Sequence, residues 1–319
     1  MSSKVVVRSI KNQSVQKAVD DILNSLNFQI FVKPNSKVVI KLNLCEFDIK
    51  KVANANTSPE VIEALCVALK RQTNDITLVE AHSYRAPAES AFKNTKIYEL
   101  ADKLNVKIVN LSNSPLRDIG NSLLGPMPEI LLDADVFITM PKLKTHALTY
   151  FTGSLKNQWG CIPRHDRIAI HHSLDRGIVQ LNGLLKPKLI IMDGIIGMDG
   201  RGPTNGRPRP LNIILGSCDP VALDATAMRI VGLDPKLAEH VVLANEAKQG
   251  NFNKEDIELD MNFEKNWENF IPAELDWAIR AMNYMTRYRW FRDYILSVNW
   301  IFYPTKFIVN VLRKIGIVR

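Results

Sequence analysis

The sequence predicts an α/β fold, a mainly parallel sheet flanked by helices on both faces, followed by a basic-aromatic helical C-terminal tail. Three observations predict it. Short apolar runs rich in β-branched residues alternate with helical patterns from the N-terminus onward. Polar residues stand directly after several of those runs, where an open parallel sheet binds its ligands. The composition then shifts near residue 270, which divides the chain into an α/β domain over 1–270 and a tail over 271–319.

The strands are expected at Lys4–Ser9, Lys37–Leu44, Asp75–Ala81, Val106–Leu111, Asp135–Met140, Lys188–Asp193 and Leu211–Gly216. A helix is expected over Val15–Leu26. Thr57-Ser58-Pro59-Glu60 opens another, with a hydroxyl cap, a proline in the first turn and an acid at the positive helix end. One helix is expected around Ala88–Leu104 and a short one within Gly153–Gly160. Asp219 is placed to cap a helix that starts at Pro220. Helices between strands argue for a mainly parallel sheet covered on both faces.

Composition narrows the function classes. The chain has 319 residues, 46% of them hydrophobic and 23% charged, which is ordinary for a globular protein. The N-terminal MSSKVVVRS lacks the long apolar core of a signal peptide, so a cytoplasmic protein is expected. Cys45, Cys66, Cys161 and Cys218 form no CxxC pair, so their spacing speaks against a zinc ribbon or an iron–sulfur cluster bound by this chain. The net charge of +8 sits mostly in residues 276–319, with eight Lys or Arg against two Asp and 10 of the 24 aromatic residues. Basicity confined to a tail, with no recognisable module, disfavours nucleic acid as a partner.

The densest chemistry lies in Pro141–His172. Lys142, Lys144 and His146 share one face if this segment is extended, because side chains alternate with period two. Two ammonium groups and an imidazole side by side call for a phosphate or carboxylate; a solvated basic loop is the alternative. Lys156, followed by Asn157, is expected as a base or imine-forming amine if partly buried, and otherwise as a surface lysine. His146, His165, His171 and His172 fall within 27 residues, without metal-ligand spacing among them. Proton transfer is expected from His146 and from either His171 or His172.

The stretch Asp193–Gly206, DGIIGMDGRGPTNG, is expected as a loop in which Gly200, Gly202 and Gly206 let backbone N–H groups cradle an anion or form a lid. It matches neither a dinucleotide fingerprint nor a phosphate-binding P-loop. Asn43, Asn157, Asp193, Asp219 and Asp224 complete the expected ligand-binding set, with the aspartates holding the lysines or a divalent metal. The cofactor is open between a divalent metal and a phosphate-bearing group.

In order, PKLKTH, TGSLKNQWG, HH, DGIIGMDGRGPTNG and SCDPVALDA resemble the domain-of-unknown-function 362 family. KLNLC and TSPEVIEAL fit its N-terminal half. The resemblance covers roughly residues 35–250 and implies no settled reaction. Many members carry a ferredoxin-like cluster domain; this chain has no clustered cysteines. A fainter likeness in style to nickel-pincer lactate racemases, matched at no motif, implies proton transfer on a small acid.

Two readings follow from the residues. One is an enzyme that binds a small anionic or phosphorylated ligand at the strand C-termini. The other is a non-catalytic binding or accessory protein of a membrane-associated or redox pathway. In the tail, Tyr284, Tyr288, Phe291 and Ile295 have helical spacing among Arg287, Arg289 and Arg292. That pattern suits the cytoplasmic face of a membrane, packing on the protein itself, or a homodimer interface.

Overall fold

The computed structural model describes residues 2–83, 87–164, 167–274, 281, 284–288 and 290. Twelve strands lie among them: β1 (Ser3–Ser9), β2 (Val38–Lys41), β3 (Ile76–Glu80), β4 (Lys107–Asn110), β5 (Leu116–Arg117), β6 (Met127–Pro128), β7 (Val136–Thr139), β8 (Lys142–His146), β9 (Tyr150–Phe151), β10 (Leu189–Asp199), β11 (Arg207–Ser217) and β12 (Ile257–Met261). Ten α-helices accompany them: α1 (Val15–Ser25), α2 (Val52–Ala55), α3 (Pro59–Leu69), α4 (Ala88–Asn94), α5 (Ile97–Leu104), α6 (Glu129–Leu132), α7 (Gly153–Asn157), α8 (Leu174–Leu185), α9 (Pro220–Ile230) and α10 (Glu239–Glu246).

The main sheet runs β12-β1-β11-β10-β7-β2-β3-β4, with β8 paired to β10 and β9 to β8. Its pairs are parallel except β1–β11, β10–β11 and β8–β9. Successive strand residues feed opposite faces, as the pleat requires. Val39 and Val79 pack with the helices α7–α10, whereas Val38, Ile40, Ile76 and Leu78 pack with α1, α3, α4 and α5. Two apolar layers thus sandwich a mainly parallel sheet, as the alternating pattern predicts.

Differences from the sequence expectation have local causes. The helix around Ala88–Leu104 is split, because Lys96 adopts φ 58 and Thr95 turns inward to accept a hydrogen bond from the Asn56 amide at 2.9 Å. The glycine-rich stretch is only half a loop. β10 continues through Asp199 and pairs antiparallel with β11, so residues 200–206 form the turn of a long hairpin. Gly194 and Gly197 lie within the strand, where a Cβ would come within 2.9 Å of Ile213 and of Phe270. Close packing, rather than loop freedom, explains them. The exposed edge strand β12, paired parallel with β1, has no counterpart among the expected strands.

The antiparallel course of β11 also decides where its end points. Ser217 pairs with Ile190, which pairs with Thr139 at the end of β7, so β11 finishes level with the C-termini of β7 and β2 and runs on away from them toward Asp219. At the other end of the hairpin, buried Asp199 accepts from Arg207, from Arg209 at 2.6 Å and from the Ile271 N–H at 3.0 Å. Arg209 also lies 5.4 Å from the centre of the Phe270 ring. The chain is therefore pinned to the α/β body as far as residue 271. The helical tail expected over 271–319 and its expected membrane contact fall almost wholly outside the described residues, as does His165.

Gly216 marks where α1 lies closest to the sheet, since a Cβ there would stand 2.2 Å from Ile22 Cγ2. Gly216→Ala is expected to destabilise the fold by roughly 1–3 kcal/mol through overpacking, measured as a lower urea midpoint at unchanged slope.

Candidate functional site

The site is built where β2, β3, β7 and β8 end. Lys41 closes β2, and its ammonium meets Glu80 Oε1 at 2.6 Å and donates to the Leu42 carbonyl at 2.7 Å. Glu80, closing β3, also accepts from the Leu44 and Ala81 N–H groups. A Cβ on Gly160 would lie 2.6 Å from Lys41 Nζ, so the chain after α7 rests directly on this ion pair. A second pair lies beside it. Lys142 Nζ donates to Asp193 Oδ2 at 2.8 Å, with the two side chains 1% and 0% exposed. Asp193 also accepts from the Ser58 and Ile195 N–H groups. It therefore supplies the cap at the start of α3 that the Ser58 hydroxyl was expected to make; that hydroxyl has no partner.

Lys144, 1% exposed, has a different setting. It donates to Asn43 Oδ1 at 2.9 Å, to Cys45 Sγ at 2.9 Å and to the Ala55 carbonyl at 2.6 Å, and no carboxylate reaches it. Asn43 Nδ2 donates to Asn157 Oδ1 at 2.9 Å, and Asn157 Nδ2 donates to Thr139 Oγ1 at 2.8 Å. Lys144, Asn43, Asn157 and Thr139 thus form one directional chain across three strand ends and α7. The two asparagines, expected as ligand contacts, hold Lys144 and α7 in place.

Helix α7 owes its position to Asp224. From inside α9, the Asp224 carboxylate accepts from the Ser154 N–H at 2.6 Å and the Leu155 N–H at 2.9 Å. Gly153, at φ +54, is required beneath it, because a Cβ would lie 2.5 Å from that carboxylate. Burial pushes the Asp224 carboxyl up to about 8, against the pull of its two N–H donors.

Lys156 on α7 is half-buried, and no hydrogen bond or ion pair to its amine is present among the described residues. Burial pushes it down to about 7, aided by the positive charges of Arg167, Lys144 and Lys41 and opposed by Cys45. The Arg167 guanidinium donates only to the backbone carbonyls of Gly160, Ile162 and His82. Two imidazoles lie within electrostatic reach of this group. His146 Nδ1 accepts from the Leu148 N–H at 3.1 Å and the Thr149 N–H at 3.3 Å, which leaves the ring proton on Nε2. Burial, Lys156, His171 and Lys144 hold His146 well below the usual histidine range. His171 is lowered to about 3 by burial, Lys156 and Arg167, and its ring centre lies 6.1 Å from that of Trp159.

The expected residues therefore divide. Lys144, His146, Lys156 and His171 come together, with Asn43, Asn157 and Asp224 positioning them. Lys142 is held by Asp193, one of the aspartates expected to hold the lysines, and is neutralised within the core instead of facing a ligand. His172 Nδ1 faces the Ala169 carbonyl at 3.1 Å. Asp219 is engaged elsewhere: beyond the end of antiparallel β11 it caps α9 through the Val221 and Ala222 N–H groups and meets Ser3 and Asn251. Gly200 and Gly202 donate their N–H groups to the carbonyls of Ile271 and Gly200, so neither offers a free donor for an anion. Gly202 and Gly206 fit for steric reasons, because a Cβ would meet the Thr145 and Asp199 carbonyls at 2.0 and 2.4 Å. No cluster of three or more His, Cys, Asp or Glu placed to hold a metal occurs among the described residues.

Sequence reasoning missed Lys41, Cys45, Arg167 and His240. Lys41 carried a signal: it is a lysine inside an apolar strand buried on both faces, where a charge must be paired. Arg167 and Cys45 gave none. His240 is fully buried in α10, with Nδ1 3.5 Å from Asp175 Oδ1 and neither ring nitrogen hydrogen-bonded. Its charge acts with those of Lys156, His171 and Lys144 in lowering His146.

Asp224→Ala orphans two buried N–H groups at the start of α7. A loss of about 1–3 kcal/mol per orphaned donor is expected, read from urea unfolding, with Asp224→Asn less damaging because one amide oxygen still accepts.

The family described as domain of unknown function (DUF362) matches over residues 38–229. The chain is 28% identical over 213 residues to the thylakoid-associated protein sll1697 of Synechocystis sp., covering 64% of this chain and 66% of that protein, just under two thirds of its length. Among solved structures, it is similar to the lactate racemase apoprotein of Thermoanaerobacterium thermosaccharolyticum, with TM-score 0.49 and 12% identity over 72% of this chain and 57% of that one. It is also similar to a protein from Thermotoga maritima, with TM-score 0.39 and 12% identity over 75% and 60% of the two chains. The span of the family match, from the start of β2 to the end of α9, takes in the whole site except His240, and the chain belongs to the domain of unknown function (DUF362) family.

Proposed function

We propose that this chain is an enzyme that binds a small anionic ligand at the strand C-termini and moves a proton there. One observation carries the reading. Lys144, Lys156 and Arg167 converge with no carboxylate partner among the described residues, next to two imidazoles held neutral. Uncompensated buried cations are costly unless an anion joins them. Glu80 and Asp193 cannot serve, because Lys41 and Lys142 already occupy them.

The chemistry follows from the protonation states. Lys144 and Arg167 supply fixed positive charge. His146, with its proton on Nε2, is a hydrogen-bond donor towards the ligand. His171, neutral and without a hydrogen-bond partner among the described residues, is a proton acceptor. Lys156 is close to half protonated at neutral pH, which suits an acid or base working at that pH. The carboxylates Asp193 and Asp224 are engaged within the protein, so the site is poor in free oxygen ligands for a divalent metal.

Protonated Lys156 is the form that attracts an anion. Its amine is lowered in the free protein, so binding should be constant below about pH 7 and weaken as pH rises above it, by up to about tenfold per pH unit. Calorimetric titration with acetate, malonate and inorganic phosphate between about pH 6 and 9 tests this. Lys156→Met should bind more weakly and with a flatter pH profile, while keeping its stability, since the amine has no bond to lose. No binding of any of the three anions, or binding unaltered by pH and by Lys156→Met, would overturn the reading.

A second reading is a non-catalytic carrier docked at a membrane. It draws support from the thylakoid association in the Synechocystis relative's name and from the basic, aromatic composition of residues 276–319. No described helix is long and apolar enough to cross a membrane. Flotation with vesicles containing anionic lipid should be lost in the Arg287→Glu, Arg289→Glu, Arg292→Glu variant. Equal flotation of that variant and the parent counts against docking.

A further inference from the structure

Lys144 and Cys45 are held in unusually close contact. The Lys144 nitrogen stands 2.9 Å from Cys45 Sγ, a separation within the range of about 2.7–3.2 Å usual between nitrogen and the smaller oxygen atom. Its other two N–H positions go to Asn43 Oδ1 at 2.9 Å and to the Ala55 carbonyl at 2.6 Å, so the nitrogen is held on three sides. The backbone fixes both partners. Just ahead of Cys45, the Asn43 N–H donates to Thr57 Oγ1 and the Leu44 N–H to Glu80 Oε2. Lys144 pairs with Met198 of β10, and its carbonyl accepts from the Thr152 N–H. Cys45 is also the cysteine placed for oxidation, which selects accessible sulfur. It is half-buried, and its sulfur faces the Ala55 and Pro203 carbonyls at 3.7 and 3.8 Å. Cys66 and Cys161 are buried, and burial pushes their thiols up to about 12. Cys218 is exposed, with no lysine nitrogen in hydrogen-bonding contact among the described residues.

We propose that Cys45 and Lys144 are a modification site, joined on oxidation by a sulfur–oxygen–nitrogen bridge that reversibly removes the charge of Lys144. The oxidant is dioxygen. Thiol, ammonium and one dioxygen give the bridge, one water and one proton. Sulfur and nitrogen each give up two electrons, and dioxygen takes all four. One of its oxygen atoms forms the S–O and O–N bonds, and the other leaves as water. Of the four hydrogens that start on sulfur and nitrogen, one stays on nitrogen, two go into the water and one goes to solvent. The geometry favours a bridge over a direct bond. An S–N bond is shorter than the about 2.05 Å of a disulfide, and it would draw the nitrogen away from Asn43 and Ala55. A bridging oxygen spans the gap with the nitrogen near where it stands. A thiol reductant restores both side chains and releases the oxygen as water. That the bridge also weakens anion binding rests on the anion-binding reading above, in which Lys144 supplies positive charge.

The full-length protein would be equilibrated either with air or with dithiothreitol under nitrogen, then compared by intact mass spectrometry and tryptic mapping. The expected air-exposed form is heavier by one oxygen less two hydrogens. Trypsin should no longer cut after Lys144, and the peptides carrying Cys45 and Lys144 should travel as one. Dithiothreitol should reverse all three changes, and Cys45→Ser should show none of them. Equal masses in air and in dithiothreitol overturn the bridge. So does Cys45 oxidised to a sulfinic or sulfonic acid while trypsin still cuts after Lys144, and so does a join that contains no added oxygen. Calorimetric titration of both forms with malonate tests the consequence: the reduced form should bind more tightly than the bridged one. Equal binding by the two overturns the switch. Absence of malonate binding in both removes the anion-binding reading and leaves the bridge standing on its mass.

Discussion

Burying lysine beneath a sheet edge is the constraint from which the rest of the structure follows. Lys41 and Lys142 sit at strand ends where water is excluded, and neither could ionise there alone. Each is matched by an acid from another strand, Glu80 at the end of β3 for Lys41 and Asp193 within β10 for Lys142, and each acid then gathers backbone N–H groups that would otherwise lack partners. Breaking such a pair leaves an uncompensated charge in the core, a loss of about 3–5 kcal/mol in comparable buried pairs. The pairs therefore act as fixed points. Residues 42–44 turn around Glu80, α3 starts against Asp193, and Gly160 lies on Lys41 so closely that no side chain fits.

With those two pairs closed, the charge left over defines the site. Lys144, Lys156 and Arg167 have no acid of their own, and their field falls on His146 and His171. That field and burial act in the same direction on each imidazole, so both rings stay neutral across the physiological range. On Lys156 the same two effects hold the amine near the point of losing its proton. One arrangement thus sets the protonation of both imidazoles and of the Lys156 amine.

How much of this was legible in the sequence depends on whether a residue's partners are local. The strand and helix pattern was legible because burial on both faces writes continuous apolar runs. Lys144, His146, Lys156 and His171 were legible as a dense run of basic chemistry between Pro141 and His172. That aspartates would hold the lysines was legible, but which lysine Asp193 takes was not, because Lys142 lies 51 residues away. The glycines after Asp193 suggested a phosphate-cradling loop, but they permit close packing in a hairpin, and a glycine's neighbours cannot be inferred from its spacing. Asp219 follows a strand end as expected, but β11 runs antiparallel to β10, and an apolar run reads the same in either direction.

The sequence by itself determined the class of fold, the Asp219 cap of α9 and the segment dense in lysine and histidine, because these follow from periodicity, capping and composition. Tertiary structure alone decided which lysines are neutralised, that Asp224 caps a helix other than its own, and that Arg167 and Cys45 join the group. The physical reason is that charge pairing and desolvation depend on distance in space. Residues 41 and 80, 142 and 193, or 154 and 224 become neighbours only when the sheet is assembled.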